Sequence, residues 1–190
     1  MSFSLPALHA EFEQLVALAP LPPPPAPPTP VPAAPSSVSA EAPASTPAAP
    51  SVPPPQPPPP QVRQTDFAAR GFNFDARIQP DQVVRAAAIM DRHGFALDAV
   101  SGVDWLATGE MEVVYDYFHP SAPCRAVVRA RVQRAQPALP TISGVFAGAN
   151  WHERETAEFF GIQFIGHPNL IPLLLPEDST FHPLRKDYAP

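Results

Sequence analysis

The chain has 190 residues, a formal net charge of −6, a pI near 5.4, one cysteine and 31 prolines. The acidic balance argues against nucleic acid or an anionic membrane surface as the main partner, because like charge does not condense on phosphate. Cys124 is alone, which excludes an intrachain disulfide and any four-thiolate iron–sulfur site supplied by this chain by itself.

Residues 1–19 read as an amphipathic helix. Leu8, Phe12, Leu15 and Val16 recur at helical spacing behind Ser4 and Pro6. The stretch lacks a basic start and an unbroken apolar run, so it does not read as a secretory signal. No segment approaches the roughly 18 apolar residues needed to span a bilayer. The apolar stripe leaves two destinations open, the chain's own domain or another chain, since a short helix gains most of its stability by docking. Residues 20–64 read as a linker. Between Pro20 and Pro60 the only charge is Glu41 and aromatics are absent. Such a segment cannot build a core and is expected to be a disordered or polyproline-II tether.

Residues 65–190 carry nearly all the charge and aromatics and form the expected folded domain. Phe72 and Phe74 alternate with Asn73 and Asp75, which suggests a first strand within Thr65–Gln79. Pro80 suits the first turn of a helix with Val83, Ala87 and Met90 on one face, ending at Gly94. Phe95–Val100 resumes a period of two. Glu110–Phe118 and Cys124–Arg134 alternate most clearly: Met111, Val113, Tyr115 and Tyr117 in one, Cys124, Ala126, Val128, Ala130 and Val132 in the other. The Pro120–Pro123 break makes them an antiparallel hairpin, and pairing Glu112 with Arg131 puts the charges on one face as an exposed pair. The expected fold is α+β: a small mixed, largely antiparallel sheet with helices on one face, preceded by the proline-rich tether.

The last stretch is the densest in signals. Asn150 reads as an N-cap with Glu153 completing a capping box, so a helix is expected from Trp151 to Phe160, stopped by Gly161. Arg154 and Glu155 then project from it, and Arg154 can pair with Glu158 one turn on. His152–Glu153 begins like a zinc-protease motif, but Thr156 stands where the second histidine is needed. Glu155 and Glu158 lack the Glu-x-x-His partners of a di-iron site. His167, between Gly166 and Pro168, reads as a residue that fixes a turn by bonding backbone. The eight glycines form neither GxGxxG nor a phosphate loop.

Trp151, Glu153-Arg154-Glu155, Phe159-Phe160-Gly161, Gly166-His167-Pro168, Pro176-Glu177-Asp178 and His182–Tyr188, with Ser101–Trp105 upstream, resemble a known signature. It is that of the 30-kDa subunit, or C-type subunit, of the proton-pumping NADH-quinone oxidoreductase (respiratory complex I) and of the equivalent subunit in membrane-bound nickel–iron hydrogenases. The resemblance implies a cofactor-free peripheral-arm subunit. It would lie beside the D-type subunit, the quinone-site subunit homologous to the hydrogenase large subunit, and beside other iron–sulfur subunits. NADH, FMN, iron–sulfur clusters and quinone would sit in partner subunits, and the chain would lie on the cytoplasmic side of the inner membrane, peripheral through the complex. It implies partner contacts by Glu153, Arg154, Glu155, Phe159, Phe160, His167, Arg185, Lys186 and Asp187. The chain departs from the family pattern at Ser179-Thr180-Phe181, where Trp-Glu-Gly is common. An energy-converting hydrogenase or formate hydrogenlyase subunit is the alternative within this class. Outside it stands a proline-rich adaptor, with Pro22–Pro25, Pro53–Pro55 and Pro57–Pro60 as polyproline ligands.

Overall fold

A computed structural model describes residues 3–18 and 59–189. Most of the expected tether and the polyproline ligand stretches lie outside the described residues. The fold is α+β, built on a mixed five-stranded sheet of order β1-β2-β5-β4-β3. These strands are β1 (Gln61–Gln64), β2 (Phe74–Ile78), β3 (Ala96–Trp105), β4 (Glu110–Phe118) and β5 (Arg125–Gln133). Three neighbouring pairs are antiparallel and β2–β5 is parallel. A second ribbon pairs β6 (Ala138–Pro140) with β7 (Gln163–Ile165) in parallel. Among the described residues four α-helices accompany the strands: α1 (Leu5–Ala17), the single turn α2 (Phe67–Arg70), α3 (Val83–Arg92) and α4 (Ala149–Phe160).

The hairpin has the expected register, with Glu112 opposite Arg131. Every alternating apolar residue of the two runs lies in the core, joined by Phe74, Ala76 and Ile78 of β2. The charged face differs from expectation. Glu110 and Glu112 are buried rather than exposed. Arg131 donates to both, Nε to Glu112 at 3.0 Å and Nη1 to Glu110 at 2.9 Å, while Trp105 donates its indole N–H to Glu112 and lays its ring against the guanidinium, 4.6 Å away. Long side chains of both strands and an aromatic lid from β3 exclude water that a bare pair would keep.

β1 lies inside the stretch read as linker, where it is an edge strand antiparallel to β2. The first expected strand is split: Asp66 caps α2 by accepting from Ala68 N–H, Gly71 ends it, and β2 starts only at Phe74.

α1 folds back on the domain. Leu8, Phe12 and Leu15 are buried, Phe12 meets the ring of Phe74 edge-on at 5.0 Å, and Glu11 pairs with Arg92 and His93 of the α3 end. Gln82, ahead of α3, is itself buried and donates to the Leu15 carbonyl at 2.8 Å, which also accepts the Leu18 N–H at 3.2 Å, so the side chain ties the end of α1 to the start of α3. The expected helix after Pro80 begins as a 3-10 turn (Pro80–Gln82) and continues as α3, with Val83, Ala87 and Met90 buried.

Candidate functional site: the α4 platform and its tail

α4 starts at Ala149, two residues before the expected position, and Gly148 precedes it without a side-chain cap. Asn150 lies within the helix, so the expected capping box does not form. Glu153 points inward, fully buried. Its carboxylate accepts the Ile142 N–H at 2.8 Å and the Thr141 hydroxyl, tying α4 to the segment that follows β6. Burial pushes this carboxyl up from its ordinary range, and the two hydrogen bonds counter only part of that. The His167 side chain is also fully buried, with Nε2 3.2 Å from the Asn150 carbonyl and 3.9 Å from Glu153. Asn169 N–H donates to Nδ1 at 3.1 Å, so Nε2 carries the proton and donates to Asn150. His167 thus bonds backbone through both ring nitrogens, as the turn-fixing reading expects.

The expected Arg154–Glu158 pair is replaced by something more specific. Arg154 donates through Nε to the Ile171 carbonyl and through Nη2 to the Pro172 carbonyl, both at 2.9 Å. One turn on, the Glu158 carboxylate accepts the N–H groups of Leu173, Leu174 and Leu175 at 2.7 to 3.2 Å. Residues 171–175 have no regular secondary structure. Their backbone groups therefore need side-chain partners, and two residues of α4 supply them.

The tail closes over the C-terminus of α4. His182 Nδ1 donates to the Glu158 carbonyl at 2.8 Å, Leu184 N–H to Phe159 at 3.2 Å, and Arg185 Nε to Phe160 at 2.7 Å. These are the last carbonyls of the helix, which have no intrahelical donor. Gly161 makes the closure possible: it takes φ +73°, and a Cβ there would lie 2.6 Å from His182 Nε2 and against Arg185. Phe160 packs over Gly102 of β3, where a Cβ would come within 2.5 Å of its ring.

A second knot ties the tail to the sheet. Arg134 holds Asp104 through both oxygens, at 2.8 and 3.1 Å, and also reaches Asp187. Lys186 N–H donates to Asp104 at 2.8 Å, and the Lys186 ammonium stands 5.8 Å from the Trp105 ring centroid. Burial alone would raise the Asp104 carboxyl, but Arg134 and the Lys186 N–H outweigh it and hold it below its usual range. The Arg134 hydrogen bond lowers Asp187 likewise.

The nine residues expected at a partner surface thus divide. Glu153, His167, Arg154, Arg185 and Asp187 bond within the chain, and Phe159 and Phe160 are half-buried. Glu155 and the Lys186 side chain remain exposed. Beside these charges the platform presents six large apolar side chains to solvent: Trp151, Ile171, Leu174, Phe181, Leu184 and Tyr188. Apart from Trp151, periodicity offers no warning of these, because they sit in irregular chain. The roles of Asp104, Arg134 and Glu158 in organising the platform are not legible in the sequence, because their partners are backbone groups or lie tens of residues away. Among the described residues no group of three or more His, Cys, Asp or Glu is placed to hold a metal, and no helix is long and apolar enough to cross a membrane.

Comparison with known proteins gives this arrangement a lineage. Residues 76–190 match the family described as respiratory-chain NADH dehydrogenase, 30 Kd subunit. The C subunit of NADH-quinone oxidoreductase from Roseiflexus sp. (strain RS-1) is 39% identical over 116 residues, covering 58% of this chain and 66% of that protein. The C subunit of F(420)H(2) dehydrogenase from Methanosarcina mazei is 44% identical over 93 residues, 48% of this chain and 59% of the relative. The C/D subunit of NADH-quinone oxidoreductase from Phocaeicola vulgatus is 39% identical over 98 residues, 51% of this chain but 19% of that longer protein. Among solved structures, a chain of the membrane-bound sulfane sulfur reductase, an archaeal respiratory membrane complex, superposes with TM-score 0.57 at 26% identity, covering 61% of this chain and 71% of that one. The match thus spans 66% and 59% of the first two relatives' lengths. With the family model covering β2 through the tail, the chain belongs to the family of the 30 kDa subunit of respiratory-chain NADH dehydrogenase.

Proposed function

We propose that this chain is the 30-kDa subunit of an NADH-quinone oxidoreductase or a closely related respiratory complex, acting without a cofactor of its own. In this reading it lies in the peripheral arm on the cytoplasmic side of the inner membrane and positions the quinone-site, D-type subunit. NADH, FMN, iron–sulfur clusters and quinone are handled by partner subunits. The observation that carries the reading is the α4 platform: the signature charges order the chain's own tail, and the ordered tail displays an apolar surface. Six large apolar side chains from α4 and the tail, each more than a third exposed, are what a buried interface core would use. The C/D relative, in which a C-like segment and a larger remainder share one chain, supports the D-type subunit as the neighbour.

The likeness to the F(420)H(2) dehydrogenase subunit and to the sulfane sulfur reductase favours a second reading of the same kind, a related complex with another electron donor or acceptor. An energy-converting hydrogenase or formate hydrogenlyase subunit falls within it. Affinity purification of the full chain from its own cells, with mass spectrometry of what co-purifies, tests both. Iron–sulfur and quinone-site subunits are the expected result. A nickel-site large subunit would favour the hydrogenase reading, and a lone protein with an aromatic polyproline-binding groove would overturn both in favour of an adaptor.

A further inference from the structure

Between α4 and the segment after β7 lies a groove of about 150 Å³, walled by Leu170, Ile171, Leu175 and Phe181 together with Arg154 and Glu158. Both charged groups are already engaged, Arg154 with the carbonyls of Ile171 and Pro172 and Glu158 with the N–H groups of residues 173–175. Neither retains the freedom to select a charged ligand. A space of this size accommodates roughly one benzene-sized group. It is well below the roughly 300 Å³ at which cofactor and small-molecule sites begin.

The rim is built for a protein surface. Of the lining residues, Ile171 and Phe181 are 49% and 42% exposed, and Phe181 stacks on Tyr188 with centroids 5.6 Å apart; Leu174, next in the chain to the lining Leu175, is 64% exposed. Glu155, Glu177 and Asp178 are exposed on the same α4 and tail segment and, among the described residues, make no ion pair. The clamp from Arg154 and Glu158 holds the wall in place beforehand, so docking there costs little ordering of the loop.

We infer that this groove is a socket for one apolar side chain, of leucine or phenylalanine size and flanked by basic residues, carried by the large partner subunit. The inference rests on the 30-kDa-subunit reading above. The exposed carboxylates of Glu155, Glu177 and Asp178 complement a basic-flanked side chain, and the C/D relative, whose longer chain links a large segment to its C-like part, supports the large subunit as its carrier.

The test is co-expression of the full chain with the D-type partner and measurement of their affinity. Ala157 lines the groove from α4, and Ala157→Phe fills it from within. The filled variant is expected to melt at the wild-type temperature and to bind about tenfold more weakly or worse, the loss of roughly one buried apolar side chain. Reversal of charge in Glu177→Lys with Asp178→Lys is expected to weaken binding and flatten its dependence on salt. A folded Ala157→Phe variant with wild-type affinity overturns the socket and leaves the subunit reading standing. Failure of the wild-type chain to bind overturns the subunit reading and the socket with it. Should Ala157→Phe not fold, Phe181→Ser at the exposed rim decides, with a comparable loss expected and unchanged affinity overturning the proposal.

Discussion

The hairpin β4–β5 and the α4 platform both bury charge, and they satisfy it in opposite ways. In the hairpin, carboxylates meet a guanidinium: Glu110 and Glu112 share Arg131 across a ladder whose backbone groups already pair with each other. In the platform, Glu153, Arg154 and Glu158 each turn to main-chain N–H or carbonyl groups of segments without regular structure. The difference teaches what irregular chain demands. A strand brings its own hydrogen-bond partners, whereas a segment such as 171–175 must find them in side chains nearby. Charge then serves the fold before it serves any partner.

This contrast is broken most severely at its hairpin end. Arg131→Ala leaves two buried carboxylates without their countercharge and is expected to cost about 3 kcal/mol by urea unfolding. Recovery in the triple variant that also carries Glu110→Gln and Glu112→Gln would show that the loss is the stranded charge. A cost below about 1 kcal/mol in the single variant would mean that water reaches the pair freely.

Glu153→Ala comes next, at about 2 kcal/mol, because the buried Ile142 N–H loses its acceptor. Glu153→Gln, which can still accept that N–H, is expected to cost less. Its pH profile is informative. The folded carboxyl is raised above its ordinary 4.5, so the native state binds the proton more tightly than the unfolded chain. That contribution is full below about 4.5 and is lost as pH rises through the folded value. The stability difference between wild type and Glu153→Gln should therefore move in favour of the variant as pH increases from about 4.5 towards neutrality. A difference independent of pH would remove the raised carboxyl from the account.

Smaller effects separate the clamp from the true surface. Glu158→Ala or Arg154→Ala is expected to cost about 1–2 kcal/mol and to speed amide exchange at Leu173–Leu175, while β4 and β5 amides stay protected. Sequence reading treats Arg154 as a projecting residue, whereas its bonds to Ile171 and Pro172 make it part of the fold. Glu155→Ala, at an exposed side chain, is expected within about 0.5 kcal/mol of wild type. Equal costs for Arg154→Ala and Glu155→Ala would erase the distinction drawn between them.

Much of the fold was legible because it rests on local pattern. Alternation placed Met111, Val113, Tyr115 and Tyr117 in the core, and charge matching set Glu112 opposite Arg131. The stripe Leu8, Phe12 and Leu15 marked α1, and Gly161 marked the end of α4. The family, too, was legible in the spaced residues from Trp151 to Tyr188.

Tertiary structure alone decided where the side chains of that signature point. Glu153 has the spacing of a helix cap but finds the Ile142 N–H eleven residues back, and Arg185 has the look of surface charge but caps the far end of α4. Periodicity reports which face of an element is apolar, because that face repeats along the chain. A hydrogen bond from one side chain to a distant backbone group has no period. It exists only once the sheet, α4 and the tail have been brought together, and so it is absent from the pattern of the residues that make it.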